Sequence, residues 1–427
     1  MKKIILSAFL VIMMLFSLLP ICVAAADEAK AVSTVAEFEA MESTGSYYLA
    51  NDIDFGGKVY DGCILADFSG KLDGRGHSIF NYKITNEAGA SDVGTFKTIG
   101  AKGGSGFEIT NINFGKPDAL LSISGAGGKQ YGVLCGSQKN EIELLLENVN
   151  VYADIRLTES IKCNVAGYIG YCTFVTMKNC TMNGSVVIGN PDTVASVYMN
   201  AGGFIASQNS LATTLTDCTN NATISTYCST VEARAAGIVT YTGKAMEFVN
   251  CTNNGTITVF DGKDTQADSQ AAGIIADING DFVLLKNCIN NGTVAATKWC
   301  GGLVACARKA GIEMDGCINY GAYHTTATKA AALVAYIDEA KGEVNIMSNC
   351  KDETGKGTAV TTSAPETTKA PETTKAPETT KVADTTERAA TTKAPETTPT
   401  TADNWMILAV AAVMALAACV MMRKKAK

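Results

Sequence analysis

The stretch FVNCTNNGTITV, Phe248–Val259, decides how this chain folds. Taken alone it offers a thiol at Cys251 and Asn-x-Thr sequons at Asn250 and Asn254. Its relatives along the chain change that reading. NCTMNGSV at Cys180, DCTNNATI at Cys218, NCINNGTV at Cys288, GCINYGAY at Cys317 and NCKDETG at Cys350 repeat it, and TNINF around Ile112 and ENVNV around Val149 are earlier copies. One position thus holds Ile, Val or Cys. Such a position is buried and apolar, because an unpaired Cys packs as a small hydrophobe. The cysteine column is therefore expected to be a core stack rather than a redox or metal site. The chain has no Cys-x-x-Cys and two histidines, His77 and His324, which leaves a structural zinc site little support. Asn253, Asn254 and Gly255 read as a turn between strands. Thr256–Val259 then alternates polar and apolar, as a half-buried strand does.

A second track precedes the first. A small residue followed by two apolar ones recurs at Gly94, Gly132, Gly167, Gly203, Gly237, Gly273, Gly302 and Ala332, spaced by 38, 35, 36, 34, 36, 29 and 30 residues. A unit of this length, with short strands, Gly and Asn turns and no helical period, is the signature of a β-solenoid. Propeller blades are slightly longer and carry Trp-Asp signals that this chain lacks. In stacked coils equivalent residues lie about 4.8 Å apart, within reach of a disulfide. Parallel in-register side chains point alongside each other, so systematic pairing is not expected.

YYLANDIDFGG (Tyr47–Gly57), FSGKLDGRGHSIFNYKI (Phe68–Ile84) and the GGLVA…CINYG units carry a family resemblance. They resemble bacterial surface proteins with a right-handed parallel β-helix, the pectin-lyase-like fold with GLUG-type repeats. The resemblance covers most of Val35 to Cys350 and implies an all-β solenoid of about eight or nine coils. It specifies fold well and activity poorly.

The ends give an address. Residues 1–26 read as a secretory signal peptide: Lys2 and Lys3, an apolar run, then Ala24-Ala25-Ala26. Residues 27–356 are the expected solenoid ectodomain. Residues 357–403 repeat APETTK and contain almost no large apolar side chains, so they are expected to be a disordered Thr/Pro-rich stalk. Residues 404–422, with the apolar run Trp405–Met422, are expected to cross the membrane as one helix, and 423–427 form a basic cytoplasmic tail. Just before that run, Pro399, Thr401 and Asp403 resemble a Gram-positive sorting signal, although Thr398 and Ala402 stand where Leu and Gly are wanted. Sortase linkage and a plain membrane anchor both remain open; either places the protein on the cell surface.

Of 35 Lys and Arg, six lie at the two ends, so 29 face all 42 acidic residues in the exported part, which carries about −13. That charge argues against nucleic acid and anionic membranes as partners, and against polyanionic substrates unless a local basic patch intervenes.

Enzymes on the resembled fold use calcium with an Arg base, or carboxylate pairs. The sequence candidates for such chemistry are Asp52, Asp54, Asp73, Arg75 and His77, which read equally as turn and cap residues of a first coil. Asp261, Asp264 and Asp268 are calcium-ligand candidates on a loop, without the full calcium-loop signature. Tyr171, Tyr241 and Tyr336 share one column with Ser207, Asp277 and Cys306. Asp277 suggests that this column is exposed, which makes the tyrosines, with Trp299, candidate sugar-binding residues. No cofactor is expected. The expected function is non-enzymatic adhesion or binding of an extracellular glycan or other host or community surface ligand. A polysaccharide lyase or glycoside hydrolase, and a purely structural surface-layer component, are the alternatives.

Overall fold

The computed structural model describes residues 28–355, apart from 102–105, 126–127, 159–161, 191–197, 228–231, 261–267, 309–310 and 339–344. The leader, stalk, apolar run Trp405–Met422 and tail lie outside the described residues, as do Pro399 and Thr401. Among the described residues no helix is long and apolar enough to cross a membrane.

The described chain winds into a parallel β-solenoid of about eight turns. The coil around Cys251 shows the plan. Ala233–Ala236 and Val239–Thr242 form two arms of a 16-stranded sheet, bent at Gly237. Met246–Val249, Thr252–Asn253 and Ile257–Phe260 then cross a 23-stranded sheet. Every rung pairs in parallel with the next: Ala233 with Ser269, Val239 with Ile275, Met246 with Val283 and Asn253 with Asn290. Period-2 alternation sends Phe248, Ile257 and Val259 into the core and leaves Glu247 and Phe260 outside.

The cysteine column is a core stack. Val149 pairs directly with Ile112, and the neighbouring register places Cys180, Cys218, Cys251, Cys288, Cys317 and Cys350 in line behind them. All twelve described cysteines are free thiols. Cys251 Sγ donates to the Leu215 carbonyl one coil back at 3.4 Å, and Cys288 and Cys317 repeat this with Phe248 and Leu285. Burial pushes the Cys218 and Cys288 thiols well up, which disfavours a thiolate at those two rungs.

Three sequence expectations need correction. First, the positive-φ turn residue is Asn250 (φ 54), ahead of the cysteine; Asn111, Asn148, Asn179, Asp217 and Asn287 occupy the same conformation in other coils. Asn253 is instead a strand residue, fully buried. Its side chain donates to the Gly255 carbonyl at 2.9 Å, so the kink after the strand is closed by a side-chain amide rather than by left-handed backbone. Second, Gly132 belongs one position earlier in the repeat: it pairs with Ala166, and Val133 takes the place of Gly167. Third, one short helix interrupts the all-β chain. Val35–Glu39 is nucleated by a capping box between Thr34 and Glu37, and it lays Phe38 over Phe55 and Phe96 at the first coil. The opposite end has no such cover among the described residues; Ile346 and Met347 are 46% and 43% exposed.

Candidate functional site

The first-coil candidates do not converge as a catalytic set. Asp52 accepts from the Ser78 amide at 2.9 Å, faces His77 Nδ1 at 3.3 Å and pairs with Lys116 at 2.8 Å. Burial pushes its carboxyl up, but Lys116, Ser78 and His77 together hold it below the ordinary carboxylate range. Asp54 caps the Gly56 amide and accepts from Asn81, both at 2.8 Å, which also keeps it low. Asp73 accepts from the Arg75 amide at 2.9 Å and from Asn111 at 3.1 Å. The Arg75 guanidinium lies 3.4 Å from the centre of the Tyr48 ring, on a residue held at φ 51. An open cleft of about 460 Å³ is lined by Asp73, Arg75 and the asparagines Asn111, Asn113, Asn148 and Asn150. Asp52, Asp54 and His77 are not among its lining residues. One carboxylate in a wall of amides cannot serve as an acid/base pair.

The bend of the 16-stranded sheet holds the stronger candidate. On the first arm alternate side chains turn away from the core. That arm presents Gln130, Asn164, Asn200, Arg234, Gln270 and Trp299 in register. The other presents Ser137, Tyr171, Ser207, Tyr241, Asp277, Cys306 and Tyr336. The corner is tight. A Cβ added to Gly202 would lie 2.8 Å from Thr240 Oγ1 on the facing arm. Ala236, Ala272, Ala276 and Ala305 pack together in this corner, with Trp299 against them.

Within the corner sit two arginines and two carboxylates from three successive coils. Arg234 and Asp277 are fully buried, and Arg234 Nη2 reaches Asp277 Oδ2 at 2.7 Å. Arg308 Nε donates to Asp277 Oδ1 at 3.1 Å, and its Nη2 donates to Glu232 at 2.7 Å. Arg234 also pairs with Glu232. Burial opposes the charge on Arg308, yet Asp277 and Glu232 hold its guanidinium above its usual value. Four matched charges leave no group ready to move a proton, so the cluster acts as a strut. It clamps Tyr198 and Tyr241, whose ring centres lie 4.8 and 5.2 Å from the Arg234 guanidinium.

Asp277 overturns the argument that its column is exposed: it is buried because two guanidinium groups compensate it. Tyr171, Tyr241 and Tyr336 do share the column and are each half-buried. They make no continuous platform, since Ser207 separates the first two and Asp277 and Cys306 the last two. The aromatic pair that does form is Trp299 with Tyr336, stacked across the bend at 5.2 Å and 4°. Lys298 stands 4.8 Å and Arg308 5.8 Å from the Trp299 ring.

Asp261 and Asp264 lie outside the described residues, and Asp268 is paired with Lys298. Among the described residues no three His, Cys, Asp or Glu side chains cluster as a metal site. Sequence reasoning missed Glu232, Arg234 and Arg308. A signal existed: Arg234 interrupts a run of amides, in register between Asn200 and Gln270.

No known family, curated protein or solved structure matches this chain. The solenoid therefore rests on its own strand register.

Proposed function

We propose that this protein is a non-enzymatic, surface-displayed solenoid that binds glycans on its bent face. In this reading it is exported by its leader, held off the cell on the Thr/Pro stalk and anchored by Trp405–Met422, with Pro399 and Thr401 as a degenerate sorting signal. The coils wind right-handed, the hand that parallel crossovers nearly always take, as in pectin-lyase-like surface proteins with GLUG-type repeats.

The stacked pair Trp299 and Tyr336 carries the reading. Both rings are half-exposed; Trp299 packs against the alanines and is flanked by Lys298 and Arg308, and Tyr336 stacks on it. An aromatic face fixed in this way suits the C–H face of a sugar ring, and the N–H groups of the ion-paired Lys298 and Arg308 at its rim suit the hydroxyls. The test is a glycan array probed with the purified full-length chain, run beside a reducing-sugar release assay. Binding that W299A/Y336A abolishes supports the reading. A blank array overturns it in favour of a structural envelope component, and release of reducing ends overturns it in favour of an enzyme.

A further inference from the structure

A second feature of the bent face points to a charged ligand. A cavity of about 210 Å³ opens where successive coils enter the first arm, lined by Lys129, Gln130, Lys162, Cys163, Asn164 and Tyr198. Two lysines from adjacent coils line it, and neither forms an ion pair among the described residues. This is a local basic patch on a chain whose exported part is acidic overall. Among the described residues the nearby acids are already matched. Asp92, one rung from Gln130, has Lys139 at 3.8 Å and accepts from Ser137 and Ser91. Glu232 is held by Arg234 and Arg308.

The remaining wall is built for recognition. Asn200 donates to Asn164 at 2.6 Å and Asn164 donates to Gln130 at 2.9 Å, so the amides form a fixed ladder. Gln130 Nε2 stands at its end with no partner among the described residues. Tyr198 is braced by Arg234 and faces the Lys162 ammonium 5.6 Å from its ring centre. Burial pushes the Cys163 thiol up to about 12, so it is a wall and not a nucleophile.

We propose that this cavity binds a sulfate or phosphate ester carried on a single sugar-sized ring. The two lysines come from different coils, and an ammonium is a compact point charge that suits a tetrahedral oxyanion. A planar carboxylate is better served by a guanidinium fork, and the one guanidinium nearby, on Arg234, is saturated by Glu232 and Asp277. The volume lies below the roughly 300 Å³ at which drug-sized sites begin, so one ring with its ester fits and a long segment does not. The sugar body rests on the glycan-binding reading above; the oxyanion does not.

The test is calorimetric titration of the full-length chain with glucose 6-sulfate, glucose 6-phosphate, glucuronate and glucose. The two esters are expected to bind at millimolar concentration, and which binds tighter separates a sulfated from a phosphorylated natural ligand. Glucuronate should bind at least about tenfold more weakly, and glucose should show no heat. K129Q/K162Q should abolish ester binding without moving the thermal midpoint, because Lys129 and Lys162 are both exposed. K129R/K162R should retain it. Glucuronate binding as tightly as the esters, ester binding that survives K129Q/K162Q, or no ester binding at all would overturn the proposal. Ester binding that persists in W299A/Y336A beside a blank array would leave this site standing and remove the aromatic one.

Discussion

Two asparagines three positions apart, Asn250 and Asn253, head parallel ladders that look alike in sequence and differ in physics. On the outer ladder Asn250 donates to Asp217 at 2.9 Å and Asn287 to Asn250 at 3.3 Å, all on exposed residues. On the inner ladder Asn220, Asn253, Asn290 and Asn319 are completely buried, and each donates to the next at 2.7–2.8 Å. The outer column admits a charge, since Asp217 stands in it with φ 54. The inner column holds Val151 and Met182 in earlier coils and reaches a carboxylate only at Asp352, in the exposed last coil. An amide both donates and accepts, so it can repeat up a dry interior, which an acceptor-only carboxylate cannot do. Water relieves the outer ladder of that requirement.

The sharpest way to break this comparison is one substitution made at both places. N253D puts a carboxylate where Asn253 Nδ2 now donates to Gly255 and Asn290. It should lose about 4 kcal/mol at neutral pH in urea denaturation. Burial raises the folded pKa of the new acid above the unfolded value. The loss should therefore grow as pH rises above about 4 and shrink below it, where both states hold the proton. A flat pH profile would mean that water reaches the column. N253A removes one rung without adding charge and strands its partners on both sides, for about 3 kcal/mol; a loss no larger than that of a surface asparagine would show that the ladder does not hold the interior. Gly237 sharpens the same point from across the core, because a Cβ there would lie 2.4 Å from Asn253 Oδ1 and 2.2 Å from the Gly273 carbonyl. G237A should cost about 2 kcal/mol, the usual scale of overpacking. C251V should stay within about 1 kcal/mol, as a volume-conserving swap does, since Val149 and Ile112 already fill that column. A larger loss would mean that the thiol contacts to backbone carbonyls matter. N250D closes the series: it sets a second exposed carboxylate beside Asp217, so the loss should be about 1 kcal/mol and shrink in salt, and a drop matching N253D would erase the distinction between the ladders.

Much of the scaffold was legible because a solenoid repeats its environment. When one column reads Ile112, Val149, Cys180, Cys218 and Cys251, the substitutions themselves report burial. The glycines of the second track were legible as small, but not why. Gly203, Gly237, Gly273 and Gly302 leave space for the inner asparagines opposite, a contact between residues about half a coil apart in sequence. The candidate site was harder to read. Trp299 was noticed as the one tryptophan of the folded part, but its partner Tyr336 lies on the next coil and the other arm. Lys129 and Lys162 likewise line one cavity only because their coils stack.

By itself the sequence determined the period, the parallel stacking, the apolar rungs and the cysteine column, since each depends on one side chain meeting its copies at a fixed interval. Tertiary structure alone decided which of two adjacent polar residues faces inward, that Asp277 is buried, and that four charges from three coils cancel in one corner. Those outcomes turn on the pitch of the bend and on which rung lies above which. Such distances in space leave no period in the chain, so no column of residues announces them.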